Sequence, residues 1–154
     1  MQTRRQTLKQ SAAVATLAAG AGLLPTSVMA AEFNKAAFEA KGIKDTLKAL
    51  GINGDPTASP DVTLTAPDIA ENGAVVPFAL STKLPDVKEL ILMVEKNPNA
   101  LVAVFNVTPE VEAKFATRSK MGETSDVYAI ALTKDGKALF SKKEVKVTLG
   151  GCGG

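Results

Sequence analysis

Short runs of strand-forming residues, divided by turn signals, occupy residues 61–149 of the 154-residue chain. The clearest breaks are Asn72-Gly73, Asn97-Pro98-Asn99 and Asp135-Gly136, because these residue types favour turns over strand interiors. We place seven strands near residues 61–66, 74–82, 88–95, 101–107, 112–119, 126–134 and 137–149. Short strands at this spacing predict an antiparallel β-sandwich of immunoglobulin-like type.

The hairpin between the last two predicted strands has the strongest local signal. Tyr128, Ile130 and Leu132 alternate with smaller or more polar residues, as expected of a strand that buries one face. Asp135-Gly136 follows them, and this dipeptide fits a two-residue turn with positive φ.

An amphipathic helix is predicted before the strands, over residues 33–50. Its apolar positions recur every three or four residues and are Phe33, Ala37, Ala40, Ile43, Leu47 and Leu50. Gly42 costs about 1 kcal/mol relative to alanine in a helix interior, so we expect two short helices there. The segment that follows, residues 51–60, is rich in turn-forming residues and is interpreted as a linker.

Two predicted strands do not alternate. The runs Leu90–Val94 (LILMV) and Leu101–Phe105 (LVAVF) place apolar side chains on both faces, which a strand with one wet face has no reason to do. Either the N-terminal helix covers the second face, or a partner protein does. The two alternatives are compatible, and the partner alternative treats Met93 as an outward-facing position.

The first thirty residues carry an export signal of the twin-arginine type. Arg4 and Arg5 precede a weakly apolar, alanine-rich stretch, and the small residues Val28 and Ala30 precede the expected cut. Residues 1–30 are therefore predicted to be a signal peptide and the mature protein to be periplasmic. The alternative is a membrane anchor, because residues 10–30 reach the length of about 20 that a spanning helix needs.

Charge excludes two classes of partner. Three of the 18 basic residues lie in the first thirty positions, so the remainder has 15 bases against 16 acids. A nearly neutral domain lacks the positive field that nucleic acids or anionic membranes attract.

Reactive side chains are scarce in this chain. It has no histidine, which is the commonest general base and transition-metal ligand, and its single cysteine excludes paired-cysteine metal and haem sites. The neighbouring carboxylates Glu110 with Glu112, and Glu123 with Asp126, are interpreted as solvated strand-end charges. We therefore predict no metal, no cofactor and no catalysis by this domain alone.

The single cysteine lies in a glycine tail. Val145, Val147 and Leu149 are predicted to face inward, so that the sandwich domain, residues 31–149, ends at Leu149. We call residues 150–154 the C-terminal arm; it consists of Cys152 flanked by Gly150, Gly151, Gly153 and Gly154. Five extended residues reach about 17 Å. Glycine hardly restricts the backbone, so the arm is both mobile and thin enough for a narrow channel.

The tail is either a frayed terminus or a functional arm. An unpaired, exposed thiol is easily oxidised, so a terminus without a function has no reason to carry one. A thiol on a thin arm instead suits a covalent carrier. The twin-arginine signal, the early helix, the strand-rich body and the terminal Gly-Gly-Cys-Gly-Gly together resemble the SoxY family. Members are the sulfur-carrier subunits of the periplasmic thiosulfate-oxidising system. The resemblance covers essentially the whole chain and assigns Cys152 as the attachment site.

The resemblance implies several partners. A haem-containing oxidoreductase joins thiosulfate to the cysteine, a hydrolase releases sulfate, and a sulfane dehydrogenase, where present, oxidises the remaining sulfur. The carrier is expected to act as a heterodimer with SoxZ, a small immunoglobulin-like protein that travels bound to it during folded export. The apolar strands would then supply the interface.

Two other functions remain open. The final Gly153-Gly154 also ends ubiquitin-like carriers that hold sulfur as a thiocarboxylate, although that chemistry needs ATP. Alternatively, the domain is an interaction module whose Cys152 crosslinks to a partner. The first predicts cargo on the terminal carboxylate, and the second predicts a stable intermolecular disulfide without sulfur adducts.

Overall fold

The computed structural model describes residues 34–149. Two short helices come first, α1 (Lys35–Glu39) and α2 (Gly42–Ala49). Between them Ala40 and Lys41 are extended, and the chain re-enters the helix at Gly42 with φ of +73°. The expected division at Gly42 is confirmed, and its cause is a backbone conformation that glycine adopts without strain.

The two helices are joined by one side chain. Asn34 caps α1, because its Oδ1 accepts a 3.1 Å hydrogen bond from the amide of Ala37. Its Nδ2 donates a 3.0 Å bond to the carbonyl of Ala49, at the end of α2. The pair therefore forms one small helical unit.

Nine strands follow in the described residues. They are β1 (Thr57–Ala58), β2 (Val62–Thr65), β3 (Ile69–Ala70), β4 (Val76–Thr82), β5 (Val87–Val94), β6 (Leu101–Asn106), β7 (Lys114–Ser119), β8 (Ser125–Thr133) and β9 (Ala138–Val147). The seven predicted strands correspond to β2 and β4 to β9. The strands β1 and β3 were not predicted, because two residues are too few for a periodic pattern.

The strands form two sheets. The larger has the order β1-β9-β8-β5-β6, and β3 also pairs with β9; the smaller has the order β2-β4-β7. Both β1 and β3 run parallel to β9, one near each end of that strand, while the long neighbours are antiparallel. The predicted immunoglobulin-like sandwich is confirmed.

The β8–β9 hairpin is present, but its loop differs from the prediction. The amide of Gly136 donates to the carbonyl of Thr133 at 3.0 Å, and the amide of Thr133 donates to the carbonyl of Lys137 at 3.0 Å. Three residues, Lys134 to Gly136, therefore form the loop. Only the last of them has positive φ, at +85°, which is the three-residue arrangement with glycine in the left-handed position.

The main core lies between the two sheets. Its buried members include Phe78 and Leu80 from β4, Leu90 and Leu92 from β5, and Ala129 from β8. Burial of alternate positions on each strand is what a two-layer sandwich requires.

A second core lies on the other face of the large sheet, under the helices. Ala37 of α1 and Leu47 of α2 belong to the same buried cluster as Ile91, Met93 and Ile130. All five residues of the LILMV run are 0% exposed. The helices therefore cover the second face of β5, and the interpretation of Met93 as an outward-facing position was wrong.

The other non-alternating run, in β6, is only partly covered. Leu101 is buried, whereas Val102, Ala103, Val104 and Phe105 are each half-buried. Among the described strands β6 pairs with β5 alone, so it forms one edge of the large sheet. A partner on this strand stays a prediction.

Candidate functional site at the base of the C-terminal arm

The chain segment that leads to the arm is held by a neighbouring segment of the backbone. After β9 ends at Val147, the amide of Thr148 donates to the carbonyl of Ala70 at 3.1 Å. The amide of Gly73 then donates to the carbonyl of Leu149 at 2.7 Å. Hydrogen bonds therefore fix the backbone up to the last residue before the arm.

The loop that holds Leu149 is itself anchored. Asn72 Oδ1 accepts a 2.8 Å bond from the amide of Ala74, which is the side-chain turn expected at Asn72-Gly73. Gly73 is buried, and its carbonyl accepts a 2.7 Å bond from the amide of Met121. We call the paired segments 69–75 and 146–149 the arm base.

The orientation of the last side chains corrects the prediction. Val145 is fully buried and Val147 half-buried, but Leu149 is 69% exposed. The ladder between β8 and β9 ends at Val145 opposite Ser125, although the amide of Val147 still donates to Thr124 Oγ1 at 3.0 Å. Residues 69–73 pair along the other edge of the chain, from Lys146 onward. Val147 still packs against the core, whereas Leu149 lies two residues beyond the end of β9 and is not covered by it.

One charged pair lies beside the arm base. Lys143 Nζ lies 2.9 Å from Asp68 Oδ1 and donates a 2.6 Å hydrogen bond to the carbonyl of Ala66. This lysine is engaged in holding the 66–68 turn against β9.

Two of the carboxylates noted in the sequence, Glu110 and Asp126, have partners in the structure. Glu110 is exposed, and a hydrogen bond from the Thr108 side chain holds its pKa below the ordinary value of 4.5. A general acid needs the opposite shift. Asp126 is engaged with Lys142, whose Nζ lies 2.6 Å from Asp126 Oδ2.

A cleft of about 500 Å³ beside α2 was not anticipated. Its lining includes Tyr128 and Phe140, whose ring centroids are 5.8 Å apart, and Glu95. Partial burial, reinforced by the charge of Glu95, raises the pKa of Tyr128 above 10.0. A phenol with a raised pKa keeps its proton near neutral pH, and the Tyr128 hydroxyl donates a 3.4 Å hydrogen bond to Glu95 Oε2.

Two further kinds of feature do not occur in the part of the chain that the structure describes. No group of three or more histidine, cysteine, aspartate or glutamate side chains is arranged to hold a metal ion in residues 34–149. Within the same range, neither helix has the length and apolar character needed to cross a membrane.

The predicted site residues themselves lie outside the described residues. Cys152 and the glycines Gly150, Gly151, Gly153 and Gly154 belong to this group, as do residues 1–30 of the predicted signal peptide. Their roles stay predictions. The structure describes the surface from which the arm departs.

Solved structures with this fold include a sulfur carrier. The sulfur carrier protein SoxY from Chlorobium limicola f thiosulfatophilum is 30% identical, with a TM-score of 0.60, and the match covers 68% of this chain and 96% of that one. A superoxide reductase (neelaredoxin) from Ignicoccus hospitalis matches with a TM-score of 0.51 at 14% identity, over 64% of this chain and 86% of that one. The second likeness concerns the fold alone.

A comparison with the sequences of curated proteins finds no match. A comparison with family models, in contrast, gives the same family as the first of these structures. The model of the sulfur oxidation protein SoxY matches residues 47–152, which is more than half of the chain and ends at the cysteine. This chain therefore belongs to the SoxY family of sulfur oxidation proteins.

Proposed function

We propose that this chain is a periplasmic sulfur carrier. It holds the intermediates of thiosulfate oxidation covalently on Cys152 and presents them on the C-terminal arm to successive enzymes. The observation that carries the proposal is the extent of the family match, which runs from α2 through the whole sandwich to Cys152. The matched range thus includes residues 150–152 of the arm.

The chemistry of the described domain fits a carrier. Sulfur–sulfur bonds form and break through a thiolate, and an unperturbed thiol with a pKa of about 8.5 is only a few per cent ionised at pH 7. The whole sequence has no histidine to act as a local base, and Lys143, beside the arm base, is paired with Asp68. Activation of the thiol therefore falls to the enzymes that receive the arm.

Three partner reactions follow from this role. A haem-containing oxidoreductase joins the Cys152 sulfur to the outer sulfur of thiosulfate, releasing one proton and passing two electrons, one at a time, through its haem to an external electron acceptor. A hydrolase adds water to the terminal sulfone and releases sulfate, which leaves a persulfide. Where a sulfane dehydrogenase is present, it oxidises that remaining sulfur.

The test is intact-mass analysis of protein purified from periplasm, before and after reduction with a thiol. We expect sulfur adducts on the mature chain that reduction removes, and their complete absence from Cys152→Ser. Cargo that survives alkylation of Cys152 would favour a carrier that uses the terminal carboxylate. A stable intermolecular disulfide without adducts would favour a crosslinking module.

We propose further that the carrier pairs with a SoxZ-like subunit through β6. This strand (LVAVFN) has a free edge in the described sheet, and it carries no charged residue. One edge strand of the other sheet, β7, is protected by Lys114 and Arg118 in the way that soluble proteins protect such edges. An unprotected edge whose backbone groups are free suits pairing with a strand of a second immunoglobulin-like subunit.

The β6 interface is tested by Val104→Lys, which places a charge at the half-buried edge. We expect the second subunit to bind about tenfold more weakly or worse, because one well-placed interface side chain contributes that much. The matched control is Ala116→Lys on β7, where the alanine is exposed. Equal affinity of the two variants, both folded by circular dichroism, would contradict the assignment.

A further inference from the structure

A groove of about 540 Å³ lies on the outer face of the small sheet. The register of the sheet aligns outward positions of its strands in two rows, Thr65-Ala79-Ala116 and Pro77-Arg118. All five residues line the groove. Among the described residues of the lining, Arg118 is the only one with an ionisable side chain, and its neighbours in the two rows are small or cyclic.

The guanidinium of Arg118 has no partner within residues 34–149. Lysine is the cation of every ion pair in that range, and the Arg118 side chain makes no hydrogen bond to another described residue. The strands β2, β4 and β7 contain no acidic residue that could neutralise it. A guanidinium presents N–H donors in one plane, which matches the oxygens of an anion. The groove is therefore suited to an anionic ligand.

Hydrogen bonds limit the distance between this groove and the C-terminal arm. The carbonyl of Leu149 is bonded to the amide of Gly73, and the carbonyl of Gly73 to the amide of Met121. Arg118 is three residues before Met121. The Cα atoms of Leu149 and Arg118 are therefore at most about 24 Å apart, at about 6.5 Å across each bond and roughly 3.6 Å per residue. The Cα of Cys152, three residues beyond Leu149, covers up to about 11 Å of that distance.

Two side chains bridge the remainder, which is at most about 13 Å. An extended arginine places its terminal nitrogens about 6 Å from its Cα, and a thiosulfate-derived adduct places its sulfonate oxygens about 6 Å from the Cα of the cysteine. A charge-assisted hydrogen bond adds about 2.8 Å. The sulfonate of a loaded arm can therefore reach Arg118.

We propose that Arg118 and its groove bind the sulfonate of the cargo on Cys152 while the carrier is not docked on an enzyme. This inference rests on the proposed carrier function and adds to it a binding site on the carrier itself. The guanidinium donates hydrogen bonds to the sulfonate oxygens, and the glycines of the arm lie against Ala79 and Ala116. The bound arm is less accessible to small thiols that would reduce its S–S bond. One exposed ion pair is weak enough for an enzyme to release the arm.

The test loads the full chain chemically, without any partner enzyme. The thiolate of Cys152 attacks a central sulfur of tetrathionate, so that one S–S bond forms, another breaks and thiosulfate leaves. The product carries the S–SO3⁻ group that the proposed function assigns to the first loading reaction. Three loaded proteins are compared: wild type, Arg118→Gln and the control Lys114→Gln. Lys114 is an exposed cation on the same face of β7, opposite Ser81 and outside the groove lining.

The measurement is the rate at which dithiothreitol, a small neutral thiol, reduces the adduct. At low ionic strength we expect reduction of Arg118→Gln to be about threefold to fivefold faster than that of wild type, and Lys114→Gln to match wild type. The difference should disappear in 1 M salt, where the Debye length is about 3 Å. Loading of the wild type should also shift the backbone amide resonances of Ala79 and Ala116, and loading of Arg118→Gln should not.

Two results would overturn this site while leaving the carrier function in place. One is an equal rate of reduction for wild type and Arg118→Gln, with both proteins folded by circular dichroism. The other is an equal acceleration in Arg118→Gln and Lys114→Gln, which would mean that the positive charge of the whole face acts rather than the groove. By contrast, absence of sulfur adducts from protein purified from periplasm would overturn the proposed function, and with it the role of the site, whatever the chemically loaded protein shows.

Discussion

The backbone amide of Gly73 donates a 2.7 Å hydrogen bond to the carbonyl oxygen of Leu149, the last residue that the structure describes. The buried Gly73 loop is in turn bonded to Met121, so the C-terminal arm starts from a fixed point on the sandwich. A fixed origin limits the volume that a five-residue arm can sample. If the chain is the carrier proposed above, that limit raises the effective concentration of Cys152 at the active site of a docked enzyme.

The glycines of the arm have a testable role. If the arm enters narrow channels, the double variant Gly151→Val with Gly153→Val should react almost normally with a small thiol reagent. Its thiosulfate-dependent turnover with the reconstituted enzymes should fall strongly, because side chains beside Cys152 obstruct passage and restrict the backbone. Normal turnover would reduce the glycines to a flexible spacer.

Met93 is a sensitive probe of the second core. Met93→Glu places a carboxylate at a fully buried position under the helices, and we expect a loss of about 3–5 kcal/mol in the free energy of unfolding. The control Met93→Leu, close in volume, should lose less than about 1.5 kcal/mol. Urea denaturation measures both, and similar stability of Met93→Glu and wild type would mean that the helices do not cover this face.

Gly42 tests the conformation that separates the two helices. Its φ is +73°, and a Cβ added there meets no atom within 4 Å, so alanine would suffer from backbone strain alone. That strain costs about 1–2 kcal/mol. Alanine also restricts the unfolded chain, which stabilises the folded state by about 0.4–1 kcal/mol. We therefore expect Gly42→Ala to lower the free energy of unfolding by about 1 kcal/mol.

The matched control for this position is Gly54→Ala. Gly54 also has open space around it but no positive φ, so its substitution should be neutral or slightly stabilising. Both variants restrict the unfolded chain, but only Gly42→Ala introduces backbone strain. The difference between their free energies of unfolding, measured by chemical denaturation, therefore reports the strain. If both variants have the same stability, the left-handed conformation at Gly42 is not present in solution.

Asp135 in the β8–β9 loop gives a pH signature. The hydrogen bond from the Lys137 side chain and a second from Thr133 lower its pKa from 3.8 to about 2. Because the folded-state pKa is depressed, the stabilising contribution is fully present above pH 4 and disappears as pH falls towards 2. Thermal melts of wild type and Asp135→Asn should differ above pH 4 and converge near pH 2. A difference that is constant with pH would contradict this assignment.

Export is tested with the arginine pair. Replacement of Arg4 and Arg5 together by lysine should trap the unprocessed precursor in the cytoplasm, because a twin-arginine signal depends on both arginines. Cell fractionation and the size of the chain measure the outcome. The mature protein of the wild type is expected to start at Ala31, and N-terminal sequencing tests that position separately. Efficient export of the double lysine variant would favour another route.

Much of the fold was predictable because its signals are local. Alternating apolar residues and turn dipeptides placed seven strands, and Gly42 marked the division between the helices. The arm stands out by composition alone, since Cys152 is the single cysteine of the chain and has two glycines on each side. Each of these features depends on residues a few positions apart, which a single sequence displays directly.

Other features depend on contacts between distant segments, and only the tertiary structure decided them. The LILMV run indicates two covered faces without saying what covers them, and it is the packing of α1 and α2 that buries Met93. Leu149 faces outward because it lies beyond the end of β9, where the core no longer covers the chain, and the local alternation of residues does not encode where the core ends.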